Sequence, residues 1–401
     1  MKSKFSFPIK FLIISFIFVH ACSDNAVSPE ENPPPAKEFG TLSITIKTTG
    51  KDEAPVGYVF DVSGIQTEDV DANDVVEIEN VAVGQYTLEL QEISAHCTDV
   101  EENPQTVTVT SGQATQATFE IYCRAILRNK IVFISDMEGE YALYSSDPDG
   151  SNPSKITNQH ISAGSYPVIS PDGSRIALRT SVAGFQTTQI ILMDVDGDNI
   201  KNISNNSSAT FDHTTWAPDG KALAFFGSGS GMQNGIHVYN IDNESLNFLF
   251  SDARNSSWSP DGESFVYSQF EGSWRIFTIN SDGTNRRELL GQSDSGFQAP
   301  VWSPDGSKIA FRSNMNLSSY QVHVMDADGS NIRQITDYPG TFNQITRHTW
   351  SPASDKILYT HWQGVGTLRE LIIRDLEHDQ RVRLFPADHN YRSVTWSIVP
   401  E

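Results

Sequence analysis

The chain has 401 residues, of which 38% are apolar and 19% charged, with 27 glycines, 19 prolines and three cysteines. That length exceeds one ordinary core and suits two domains. The formal net charge of −22 argues against nucleic-acid binding, which needs a basic face, and against docking on anionic lipid by charge.

The chain opens "MKSKFSFPIKFLIISFIFVHAC", three lysines followed by the apolar run Phe11–Val19. That run is about half the roughly 20 residues a membrane span requires, so it reads as a secretory signal. "VHAC" (Val19–Cys22) resembles the bacterial lipobox, although His20 is atypical of it. The resemblance implies a signal peptide over 1–21, cleavage before Cys22 and a lipid on its sulfur. A plain signal peptide with a chance cysteine is the alternative. Residues 22–37 continue as the acidic, proline-rich "CSDNAVSPEENPPPAK", which has almost nothing to bury and reads as a tether. The acidic start after Cys22 is similar to export signals of surface lipoproteins in Bacteroidota-like bacteria.

Residues 38–124 alternate with period two in Thr41–Thr48, Val76–Val81, Tyr86–Leu90, Thr106–Thr110 and Thr118–Cys123. This pattern predicts a small antiparallel β-sandwich. Once Cys22 is set aside, Cys97 and Cys123 form an even pair in an oxidising compartment and are expected to be disulfide-bonded. Two cysteines without a matched histidine pair do not make a zinc site. "VAVGQYTLEL" looks like the closing hairpin of carboxypeptidase-regulatory-like or PEGA-type sandwiches, which implies a spacer or a weak binding module.

From residue 125 to 401 a repeat takes over. Its key positions are Ile169, Trp216, Trp258, Trp302, Trp350 and Trp396, at spacings of 47, 42, 44, 48 and 46. Each opens a copy of "WSPDG", decayed to "WSPAS" at Trp350 and "WSIVP" at Trp396. A second signature follows: "DPDGSN" at Asp147, "DVDGDN" at Asp194, "NSDGTN" at Asn280 and "DADGSN" at Asp326. Such Asp-Gly turns join paired strands, because Gly and Asn tolerate positive φ. A strand-rich repeat with a period in the forties means a β-propeller. The first blade lacks a Trp strand and the chain ends on one, Tyr391–Pro400, so six blades are expected, closed by the C-terminal strand. The fold class is all-β.

"W-S-P-D-G…I-A-F…V-M-D-A-D-G-S-N…Q-I-T" resembles the TolB-type propeller repeat over about 277 residues. The resemblance implies a fold that hosts many functions, among them partnership in an envelope complex.

The turn aspartates Asp172, Asp219, Asp261 and Asp305 are expected to cap backbone and lock neighbouring blades, and the tryptophans to fill the spaces between blades. Function is expected at the channel mouth, just upstream of each Trp. The non-repeating letters there are Asp212, His213, Arg254, Asn255, Gln298, Arg347, His348 and Arg392. These are the candidate ligand-binding residues. No catalytic residue, metal or cofactor is assigned. Oligogalacturonate lyases resemble this fold, and that likeness would place His213, His348, His389 and Gln298 around a metal. His160 is a further histidine, at yet another repeat offset. A peptidase reading lacks its Gly-x-Ser-x-Gly elbow; Gly227–Gly231 centres on glycine and reads as a hairpin. The expectation is therefore a monomeric lipoprotein of the bacterial cell envelope, held to the outer membrane by its lipid, binding a protein or glycan partner without catalysis.

Overall fold

The structure is a computed structural model. It describes residues 38–399 except 52–57, 63–65, 92, 95, 100–101, 158–160, 293–294, 316–318, 339, 341–343, 365–367 and 387. The signal, Cys22, the tether and His160 lie outside the described residues.

The first eight strands are β1 (Phe39–Gly50), β2 (Tyr58–Val62), β3 (Gln66–Val70), β4 (Val75–Ala82), β5 (Gly84–Gln91), β6 (Cys97–Asp99), β7 (Gln105–Val109) and β8 (Ala114–Cys123). They form two four-stranded sheets, β4-β1-β8-β6 and β3-β2-β5-β7. In β1, Leu42, Ile44 and Ile46 are buried on alternate positions, and one core joins them to Phe60, Leu88, Leu90 and Phe119 of the facing sheet. One pairing departs from the antiparallel expectation: β1 and β8 run parallel from Thr41/Ala114 to Gly50/Cys123. The strands β2, β3 and β6 carry no clean alternation in sequence and emerge only through pairing. Cys97 and Cys123 face each other across β6 and β8 and are disulfide-bonded, as their number implied. On the chain-entropy model, closing that 26-residue separation is worth roughly 3–4 kcal/mol.

Six further four-stranded antiparallel sheets follow, one per repeat. Blade three shows the plan. Its inner strand is Ala209–Trp216, followed outward by Ala222–Gly229, Met232–Asn240 and Leu246–Ser251. In blade one the inner strand comes from the other end of the chain: Tyr391–Trp396 pairs antiparallel with Ile131–Ser135 and closes the ring. The seam is reinforced by Asn390, whose N–H and side-chain amide donate to Asp136 at 2.8 and 3.0 Å.

The repeated phrase builds this ring. In "WSPDG" the Ser303 hydroxyl donates to Asp305 at 2.6 Å, and the Ser307 N–H donates to the same oxygen at 3.0 Å. Asp261 is held below the usual carboxylate range by the equivalent Ser259 hydroxyl, helped by the Glu263 N–H. Gly262 and Gly306 adopt φ of 74° and 72°, where a side chain would be strained. Each sits against the proline ring of the preceding blade, Pro218 and Pro260. One blade's turn thus packs on the next.

The tryptophans divide. Trp216, Trp350 and Trp396 are buried. The first two donate their indole N–H to the inner strand of the preceding blade, at Val168 and Val301. Trp258 and Trp302 depart from the buried expectation: both are partly exposed, lining an apolar bowl of about 360 Å³ at the turn end of the channel. The sandwich contacts this end of blade two. Lys51 pairs with Asp196 and with Asp198 (2.8 Å), and Arg124 lies 3.7 Å from Asp194.

Candidate functional site at the channel mouth

At the opposite end the inner strands break register. Their pairing with the second strand slips between Asp212 and Thr215, Arg254 and Ser257, Gln298 and Val301, and Arg392 and Val394. Within each slip one residue takes positive φ: His213 (50°), Asn255 (54°), Ala299 (51°) and Ser393 (34°). A β-bulge of this kind swings one residue out of the ladder and re-aims its neighbours. Here the bulged residues line a cavity of about 160 Å³ together with Tyr166, Arg347 and His348.

Of the residues expected from sequence, His213, Arg347, His348 and Asn255 line this cavity. Asp212, Arg254, Gln298 and Arg392 stand one step further out on the same strands. The register explains what sequence reading missed. Tyr166 pairs with Arg179, Gln298 with Arg312 and Arg392 with Ile134, so each non-repeating inner position faces a non-repeating position on the second strand. Reading the second strands for broken consensus ("ALRTS", "AFRS") would have found Arg179 and Arg312.

These positions assemble a rim of arginines, each held on an aromatic ring. Arg347 reaches past blade one to stack on Tyr166 of blade two at 3.5 Å, where Arg179 also lies at 5.1 Å. Arg392 lies over Tyr141 (5.0 Å), Arg369 over Trp362 (4.9 Å), Arg254 over Phe226 (4.5 Å) and Arg312 over Tyr320 (5.8 Å). Cation–π contact fixes a guanidinium's face and leaves its N–H edge for a ligand. Arg179 is 3.6 Å from Asp212. The other five have no carboxylate within ion-pair distance among the described residues.

The field of this rim is legible in its neighbours. Burial lowers the His348 pKa to about 3, with Arg312 and Arg347 adding to the shift, so its imidazole is neutral at pH 7. Burial and Arg347 act on His213 in the same direction, against Asp212. Arg312 is pushed down to about 10 by burial and by Arg347. Burial would raise the Tyr166 hydroxyl, but the charge and hydrogen bond of Arg347 outweigh it and hold the pKa below the usual phenol range.

The family model described as the TolB beta propeller domain matches residues 122–400. The chain belongs to the TolB beta-propeller family. A protein TolB homolog of Chlorobium luteolum is 27% identical over 204 residues, 51% of this chain and 35% of that one. Dipeptidyl-peptidase 5 of Porphyromonas gingivalis is 31% identical over 126 residues, 30% of this chain and 18% of that one. The chain therefore spans well under half the length of these curated relatives. Among solved structures, TolB from Acinetobacter baumannii superposes with a TM-score of 0.58 at 20% identity, covering 68% of this chain and 67% of that one. That likeness is one of fold.

The TolB-type ring does not gather the lyase-like set. His213 and His348 line the cavity, but His389 sits on the seam, 4.0 Å from Asp136, and Gln298 accepts from Arg312 at 3.5 Å. Among the described residues, the one trio of His, Cys, Asp or Glu with converging ligand atoms is His96 with Cys97 and Cys123, whose sulfurs are spent in the disulfide.

Proposed function

We propose that this chain is a cell-envelope lipoprotein in which the tether and the 38–124 sandwich hold a non-catalytic propeller, residues 125–401, toward a protein or glycan partner. Membership of the TolB beta-propeller family supports a scaffold, and the lipobox resemblance at Cys22 supports an outer-membrane anchor. The partner docks on the channel mouth. The observation that carries this reading is the rim itself: five aromatic-stacked arginines without carboxylate partners, in a chain of net charge −22. On so acidic a protein a cluster of cations focuses field at one opening and recruits a complementary, anionic surface.

The test is capture from envelope extract with the wild type and with Arg254→Ala/Arg369→Ala/Arg392→Ala. The variant is expected to lose partners that the wild type retains, and the wild-type capture to weaken with salt. Equal recovery by both would move the site away from the mouth.

A further inference from the structure

Resting on that reading, we infer that the throat below the rim is a carboxylate-binding subsite, in which Arg347 binds one carboxylate of the incoming ligand, the neighbouring Arg312 adds its positive charge, and the bulged inner strands supply neutral donors. Three observations carry it.

The first is charge balance. Asp212 offsets Arg179 at 3.6 Å, whereas Arg312 and Arg347 have no acid within ion-pair distance among the described residues. Arg312 spends one Nη on the carbonyls of Ile345 and Thr346, at 2.9 and 3.3 Å. Its Nε is buried without a hydrogen-bond partner. An enclosed guanidinium with a donor unspent is costly to fold unless something anionic arrives.

The second is the remaining inventory of the throat. His213 Nδ1, Thr214 Oγ1, Ser256 Oγ and both ring nitrogens of His348 are buried and unbonded in the same cavity. His213 Nδ1 lies 3.3 Å from Asp212 outside hydrogen-bond geometry, and His348 faces the carbonyls of Ala299 and Ala310 without completing a bond. Buried polar groups are almost always satisfied, and a group of open ones in a single cavity marks a place for a polar ligand.

The third is shape. A cavity of about 160 Å³ admits one small group rather than a sugar ring chain. A planar carboxylate matches guanidinium edges in a way a point charge does not. Hydroxyls and neutral imidazoles can then donate to it without adding charge.

The experiment is calorimetric titration of the full chain, at fixed ionic strength and pH 7, with succinate, a capped penta-glutamate peptide and inorganic phosphate. Succinate or the peptide is expected to bind. Binding of succinate alone would identify a free small carboxylate as the source, and tighter binding of the peptide an acidic segment. Arg347→Gln is expected to weaken that binding roughly tenfold or more, whereas Arg287→Gln, on the outer strand of blade four, leaves it unchanged. Thermal unfolding of both variants checks that they fold. Absence of binding to either carboxylate, phosphate binding as tightly as they do, or equal weakening by Arg287→Gln overturns the assignment. The rim reading is judged separately: if Arg347→Gln leaves succinate binding intact while the Arg254/Arg369/Arg392 variant loses its partner, the throat assignment fails and the rim stands. If succinate binds and that variant keeps its partner, the reverse holds.

Discussion

The two ends of the central channel are built from the same six inner strands and are opposite in chemistry. The turn end is a bowl of Trp258, Trp302, Pro171, Pro218, Pro260 and Pro304, all from the repeated phrase. The other end carries the arginine rim and a cavity holding His213, Asn255, Ser256, Arg347 and His348, and the letters three and two places before each Trp position break the repeat. The difference shows how a propeller separates its tasks. Consensus letters carry the contacts every blade must make with the next, so they converge on one chemistry. Letters freed from that duty collect where the strands enter the channel, and there a site can be written without unpicking the ring.

Substitutions at the two ends should separate stability from binding. The largest effect is expected for Trp350→Ala. Its ring is 2% exposed and its indole N–H donates to Val301 of the neighbouring blade at 3.1 Å. Truncation should cost about 3–5 kcal/mol in denaturant unfolding. A loss below ~1 kcal/mol would break the assignment of consensus residues to stability.

Acid should act through the mouth. The His348 pKa is about 3 in the folded chain against an ordinary value near 6.5, so the unfolded chain binds the extra proton between those values. Stability should be unaffected by this group above pH 6.5 and fall as pH drops from 6.5 toward 3. The ceiling is ~1.4 kcal/mol per pH unit. His348→Gln should flatten that part of the stability–pH profile. An unchanged slope would mean that other groups set the acid sensitivity.

Asp305→Ala should cost about 1 kcal/mol, since it releases the Ser303 hydroxyl and the Ser307 hydroxyl and N–H from one turn. The smallest stability effect belongs to Arg392→Ala, within about 0.5 kcal/mol, because its partner is a single stacked Tyr141 with one hydrogen bond to its hydroxyl. That change should nevertheless weaken partner capture. If Arg392→Ala destabilised the fold as much as Asp305→Ala, the division between the two ends would not hold.

How much of this was legible in sequence follows from the range of each interaction. The inner-strand candidates could be read because a fixed offset from Trp places them, and four of them line the cavity. Arg179 and Arg312 were not, because their relevance depends on cross-strand register. The missed strands β3 and β6 lack a clean alternation in sequence, and in β2 the apolar Val59 between buried Tyr58 and Phe60 masks the period. The parallel β1–β8 pairing joins opposite ends of the sandwich and has no local signature.

By itself the sequence determined the blade number, the closure by the last strand, the Cys97–Cys123 bond and the turns that lock blade to blade. The disulfide follows from the cysteine count; the others rest on local chemistry repeated at fixed spacing, such as proline φ, glycine at positive φ and an aspartate two residues from its donor. Only the tertiary structure decided that the bulges open one end of the channel, that Arg347 crosses blade one to reach Tyr166, and that Arg347 lines a throat with no acid within ion-pair distance of it among the described residues. Those facts depend on residues distant in the chain meeting across a ring, and no periodicity along one strand encodes what faces it from another.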